Sequence, residues 1–258
     1  MQTVTSTDGT RIGYETFGDG PPLVCLHGSS ETRHAWYPLR PLLEDDFTLV
    51  VPDRRGRGGS GDADQYGLER EVDDLRAIVD DLEGDASVFG HSFGGLVALA
   101  AAGDVPMERL VLYEPSLLVG DHRGDDLSDR LQERFAADGR EAAMKRFYRD
   151  GAGIPAPEEL PIWPDEVNFD LLETVIRETA AVEAYDLPAE IELERPTLLL
   201  TGERGPPHLR EAVRTLDDRL PRSRLAELEG VGHVGVKTAP EQVAAELRAF
   251  RKEHASKA

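Results

Sequence analysis

The five residues Gly90-His91-Ser92-Phe93-Gly94 constrain this chain more than any other stretch. They read G-x-S-x-G. A short apolar run, Ala86-Ser87-Val88-Phe89, leads in, and the strong helix formers from Gly94 to Ala102 lead out. A serine between strand and helix, with glycine two residues to either side, predicts a sharp turn. The serine backbone is strained there and its neighbours must be small. Such a turn projects Oγ away from the sheet and places the start of the helix beneath it, where backbone N–H groups stabilise developing negative charge. The same letters also describe a glycine-rich turn whose serine merely caps the helix. The strand before and the helix after favour an exposed nucleophile.

The rest of the chain alternates in the same way. Apolar strand patterns recur at Pro22–Leu26, Phe47–Val51, Arg109–Tyr113 and Pro196–Leu200, and Arg224–Glu229 reads as a further extended stretch. Val4–Thr5 and Arg11–Phe17 predict a hairpin around Asp8-Gly9. Leu68, Val72, Leu75, Ile78, Val79 and Leu82 form a helical stripe, whereas Pro38 and Pro41 shorten or break a helix near His34–Leu43. Strand–helix alternation predicts a parallel sheet with right-handed crossovers. After Tyr113 the alternation stops. Residues 116–190 hold helical stripes (Leu127, Leu131 and Phe135; Ala143 and Phe147; Leu171 to Val182) and no clear strand. Pro240–Arg251 predicts a closing helix.

Composition narrows the function. At 258 residues the chain can bury a large core, and one α/β domain with an insertion is the natural reading. The formal net charge of −21 repels nucleic acid, so no nucleic-acid partner is expected. The cations include four lysines (Lys145, Lys237, Lys252 and Lys257), a balance that suits a high-salt environment; an ordinary acidic, arginine-rich protein is the alternative. The single Cys25 excludes an intramolecular disulfide and a cysteine-based zinc cluster, and it reads as a buried, inert thiol. Met1–Thr5 shows no signal-peptide pattern and the longest apolar run, Leu96–Ala102, is too short for a membrane span. A cytoplasmic protein with no membrane partner is expected.

Three further motifs join the elbow. His27-Gly28-Ser29-Ser30 follows the third strand pattern, and Asp53-Arg54-Arg55-Gly56-Arg57-Gly58-Gly59-Ser60 follows the fourth. Gly230-Val231-Gly232-His233 follows the last. With these motifs in this order, the chain resembles the α/β-hydrolase fold family across roughly residues 2–252. The resemblance implies a mostly parallel eight-stranded sheet with helices on both faces, a core of residues 1–115 and 191–258, and a helical cap at 116–190 inserted after strand six.

It also implies a serine hydrolase acting by acyl transfer, most simply on a small carboxylic ester. Carbon–carbon bond hydrolysis, lactonase, lyase and perhydrolase chemistry use the same site, and a non-enzymatic binding module uses the same scaffold. Serine at the elbow argues against the dehalogenase and epoxide-hydrolase branches, which carry aspartate there. By family position Ser92 is the nucleophile and His233 its base. The acid is the point of departure. The family's usual aspartate slot after strand seven is Gly205 here, so Glu114 at the end of strand six is the preferred acid and Glu203 the fallback. Phe93 and Ser29 are expected to supply the backbone N–H groups of the oxyanion hole, while Asp53 and Arg54 fix a loop. His27, Gly28 and Trp163 are the candidates for substrate contact, Trp163 through its place between Pro161 and Pro164 in the cap. A small-molecule substrate, no cofactor and no metal are expected. The glycine-rich run Gly56–Gly61 lacks the Lys-Ser/Thr of a nucleotide loop.

Overall fold

The computed structural model describes residues 1–254 except Asp125, Pro161, Ile162 and Glu166. Its centre is an eight-stranded sheet in the order β1-β2-β4-β3-β5-β6-β7-β8. β1 (Gln2–Thr5) and β2 (Arg11–Phe17) form the antiparallel hairpin, and β2 runs antiparallel to β4 (Thr48–Pro52). β3 (Pro22–Leu26), β5 (Ser87–His91), β6 (Leu110–Tyr113), β7 (Thr197–Gly202) and β8 (Ser223–Leu228) continue the sheet in parallel register. Helices α1 (Arg40–Leu43), α2 (Leu68–Asp80) and α3 (Phe93–Ala101) precede β6. Between β6 and β7 lie α4 (Leu127–Arg146) and α5 (Leu172–Ala184); α6 (Pro207–Arg219) joins β7 to β8, and α7 (Gly235–Thr238) and α8 (Pro240–Glu253) follow.

The near-continuous apolar strands are explained by burial on both faces. Alternate residues of one strand enter different cores. Val24 and Leu26 pack with Leu75 of α2, Leu96 of α3 and Val213 of α6. Leu23 and Cys25 face the other way, toward Leu43 of α1 and Leu247 and Phe250 of α8. Burying each such side chain contributes on the order of 1.5–3 kcal/mol.

The segment between β6 and β7 has a hydrophobic cluster of its own, in which Leu131, Ala143 and Met144 of α4 meet Leu172 and Val175 of α5. α4 is broken at Gly139, whose φ of 85° is left-handed, so the two stripes on either side belong to two helical arms. A wide π-helical turn, Phe147–Gly151, follows. The C-terminal ends of β3, β5, β6, β7 and β8 open toward one edge of the sheet, where ligands bind in parallel α/β folds.

Candidate active site

β5 ends at His91 and α3 begins at Phe93, so Ser92 alone makes the turn between them. Its φ of 55° and ψ of −122° are strained for an L-residue. Tight packing explains the flanking glycines. A side chain on Gly90 would meet the Gly94 carbonyl, and one on Gly94 would meet the carbonyls of Leu26 and His27.

Ser92 Oγ lies 3.1 Å from His233 Nε2, and His233 Nδ1 lies 2.8 Å from Glu114 Oε2. All three residues are buried. With the Nδ1–H donated to the carboxylate, Nε2 presents its lone pair to the Ser92 hydroxyl. Glu114 directly follows β6 with φ 40°; among the described residues it and Ser92 alone combine a side chain with positive φ. Its other oxygen, Oε1, accepts from Thr201 Oγ1 and from the Gly202 N–H, both at 2.9 Å. The loop carrying His233 is held by its carbonyls. His233 O accepts from His91 Nε2 at 2.8 Å, and Gly232 O accepts from the Tyr113 hydroxyl at 2.6 Å. Ser116 Oγ is 3.2 Å from Ser92 Oγ.

The electrostatics follow from this packing. Burial alone would raise the Glu114 pKa, but the hydrogen bond and charge of His233, with the Gly202 N–H and Thr201, outweigh it and hold the carboxyl below its usual value. Burial lowers the His233 pKa; Glu114 opposes that shift without cancelling it. The imidazole is therefore neutral at pH 7, able to accept a proton, beside a carboxylate that stays ionised.

The profile of the alpha/beta hydrolase family matches residues 23–246. The chain belongs to this family. It is an α/β-hydrolase enzyme. It is 35% identical to an alpha/beta hydrolase from Sphaerobacter thermophilus whose structure superimposes with a TM-score of 0.82, covering 96% of this chain and 99% of that one. It is 28% identical over 239 residues to RutD, a proposed carbamate hydrolase of Agrobacterium fabrum, covering 88% of this chain and 91% of that protein. It is 38% identical over 112 residues to a soluble epoxide hydrolase of Corynebacterium sp., a match that spans 42% of this chain and only 39% of that protein.

In this hydrolase the loop after β3 lies beside Ser92. The Gly28 carbonyl accepts from His27 Nδ1 at 2.8 Å and from Arg54 Nη2 at 3.1 Å. The carbonyl and N–H of a trans peptide point in opposite directions. Anchoring Gly28 O therefore also sets the direction of the Ser29 N–H. Arg57 Nη1 donates to the next carbonyl, Ser29 O. Both arginines also reach the insertion. Arg54 meets Glu178 of α5 at 3.0 and 3.1 Å, and Arg57 Nη2 meets the same carboxylate. Arg54 further pairs with Glu71 of α2 at 2.8 Å and lies 4.7 Å from the centre of the Phe93 ring. The cluster thus backs both backbone segments expected to bind an oxyanion.

Two cavities meet at Ser29 and Ser92. The larger, about 290 Å³, is lined among others by Ser116, Leu117, Leu118, Val182 and Leu209. The smaller, about 200 Å³, is lined among others by Gly28, Tyr148, Ile154, Leu160 and His233.

Some sequence-derived candidates lie elsewhere. His27 is sealed in the core and lines neither cavity; its Nε2 accepts from the Arg54 N–H at 3.2 Å, so it braces the loop rather than facing substrate. Trp163 also lines neither cavity. It packs edge-on against Tyr148 and Phe169, ring centroids 6.0 and 5.4 Å away, because Tyr148 takes the cavity-facing place. Pro161 lies outside the described residues. Glu203 sits in the turn after β7 and accepts from the Gly230 N–H at 2.8 Å. Asp53 and Arg54 do fix the loop after β4: Asp53 accepts the N–H groups of Arg33 and Gly59 at 2.8 and 2.7 Å. The sequence reading missed Arg57, Glu178, Ser116 and Tyr148. One signal was present, since Glu178 stands three residues after Val175 and four before Val182, a charge in line with the apolar stripe of α5.

Proposed function

We propose that this enzyme hydrolyses carboxylic esters by acyl transfer, with Ser92 as nucleophile, His233 as general base and then acid, and Glu114 as the orienting carboxylate. The hydrogen-bonded chain from Ser92 Oγ through His233 to Glu114, set on a strained turn at a helix start, is the observation that carries the reading. Ser92 Oγ attacks the ester carbonyl carbon as its proton passes to His233 Nε2. The carbonyl oxygen, now negative, is stabilised by the backbone N–H groups of Ser29 and Phe93. Collapse breaks the bond to the alkoxide, which takes the proton from Nε2. Water then attacks the acyl-enzyme by the same route, releasing the acid and restoring Ser92.

Glu114 acts through His233. It keeps the proton on Nδ1 and stabilises the imidazolium that forms at each transfer. The segment 116–190 serves as a cap, since both cavities take walls from it, Val182 on α5 and Tyr148 in the wide turn among them. Epoxide hydrolysis, suggested by the partial match to the Corynebacterium protein, is the weaker reading because the elbow carries serine rather than the aspartate of that branch.

The test is covalent. A fluorophosphonate probe should modify one residue per chain, and Ser92→Ala should abolish both labelling and esterase activity. The loss in kcat should be about 10⁴- to 10⁶-fold with folding retained. Labelling that persists in Ser92→Ala would remove the assignment.

A further inference from the structure

The two cavities are not equivalent with respect to the proton donor. Both reach Ser29 and Ser92, but His233 lines only the smaller one. In acyl transfer the histidine must hand its proton to the departing alkoxide, so the alcohol half of an ester lies on the histidine's side of the nucleophile. We propose that the smaller cavity takes the alcohol, that the larger takes the acyl chain, and that the preferred acyl chain carries a hydroxyl or amino group. The inference rests on Ser92 being the nucleophile.

The chemistry of the walls sets the class. The alcohol chamber is walled by Phe147, Tyr148, Ile154, Leu160 and Val234. Among its polar groups, Glu31 pairs with Lys237 at 2.5 Å, Ser30 Oγ with the Tyr148 hydroxyl at 3.2 Å, and Thr238 Oγ1 donates to the Val234 carbonyl at 3.3 Å. A compact apolar alcohol fits these mostly apolar walls, where a polar one would lose water for few new partners. The acyl chamber differs. Beside its leucines it is lined by Arg130, Asp150 and Glu183, with His122 and His208. Asp150 is shared by Arg130 at 3.3 Å and Arg146 at 3.2 Å, Arg130 also meets Asp126 at 2.7 Å, and Glu183 accepts from the Ser128 N–H at 2.8 Å and from its hydroxyl. Asp126, Asp150 and Glu183 against Arg130 and Arg146 leave Glu183 as the carboxylate with no cation beside it among the described residues, an acceptor in the chamber wall. It attracts a hydrogen-bond donor or an ammonium group and repels a second carboxylate.

Two measurements test this. First, butyl esters of hexanoic, ω-hydroxyhexanoic, ω-aminohexanoic and adipic acid are compared by kcat/KM. The hydroxy and amino esters should exceed the adipate monoester by about tenfold or more. A preference for the adipate monoester, or no discrimination, overturns the acyl class. Second, Val182→Trp narrows the acyl chamber and Ile154→Trp the alcohol chamber. Val182→Trp should lower kcat/KM for butyl hexanoate far more than for butyl acetate. Ile154→Trp should lower it for butyl acetate far more than for methyl acetate. The reverse pattern overturns the chamber assignment. Fluorophosphonate labelling of each variant reports an intact fold; if Val182→Trp is not labelled, Leu118→Trp narrows the same chamber from the β6 side. A wild-type protein whose Ser92 takes no probe defeats the underlying hydrolase mechanism. Retained labelling with the wrong preference, or with no turnover of any ester in the panel, defeats only the substrate assignment.

Discussion

Gly205 lies directly against the Glu114 carboxylate: a β-carbon built on Gly205 would overlap Oε1. An acid directly after β6 and a side chain at position 205 therefore exclude one another. This relation accounts for a glycine at the place where the family's aspartate usually stands. The carboxylate at this site comes from the residue after β6 and occupies the volume an acid after β7 would need.

The exclusion can be tested by moving the acid. Glu114→Ala should lower kcat by about 10³-fold or more, because His233 loses its orienting partner. Gly205→Asp alone should destabilise the protein, since it forces a second carboxylate against the first without a new cation. Combined, Glu114→Ala and Gly205→Asp should recover part of the lost kcat. A double variant no better than Glu114→Ala would show that the two positions are not interchangeable.

The pH profile follows from His233. Its pKa is held below the ordinary 6.5, chiefly by burial, and the base is useful only when neutral. kcat/KM should fall as pH drops through an inflection below 6.5, the value for an unperturbed histidine. Glu114 raises that pKa against the effect of burial, so Glu114→Gln should move the acid limb to still lower pH while reducing the plateau. An inflection that stayed in place in Glu114→Gln would argue that another group controls it.

Arg54 and Glu178 join the insertion to the loop after β3. Glu178→Gln leaves two buried guanidinium groups short of a counter-charge, which costs about 3–5 kcal/mol. The thermal midpoint should fall by roughly ten degrees. Arg54→Met should lower kcat more than it raises KM, because the Ser29 N–H it aims matters most when the oxyanion has formed. Arg54→Lys should rescue little of this, lacking the fork that spans Gly28 O and the Glu178 carboxylate together. Equal effects on ester binding and turnover would count against a role in aiming the donor.

The charge of −21 predicts a response to salt. The screening length shrinks from about 30 Å at 0.01 M to about 3 Å at 1 M, so repulsion among spaced surface carboxylates is largely removed. At fixed pH, the thermal midpoint and esterase activity should rise together as KCl is raised to molar concentration. A flat midpoint would mark an ordinary acidic, arginine-rich protein instead.

Local interactions wrote much of this protein into its sequence. The elbow, the strand runs and the helical stripes each arise from backbone conformation and side-chain periodicity over a few residues, so the sheet, the turn at Ser92 and the helical insertion could be read directly. The approach of Glu114, His233 and Ser92 was legible only through motif order, because 141 residues separate Ser92 from His233 and spacing alone says nothing of distance. What the tertiary structure decided is where long side chains find their partners. Arg54 reaches Glu178 across 124 residues, and Trp163 turns to Tyr148 rather than to the cavity. Nothing in a local window distinguishes an arginine bound for solvent from one bound for a buried carboxylate, because the energy that decides between them comes from desolvation and pairing that exist only once the chain has folded.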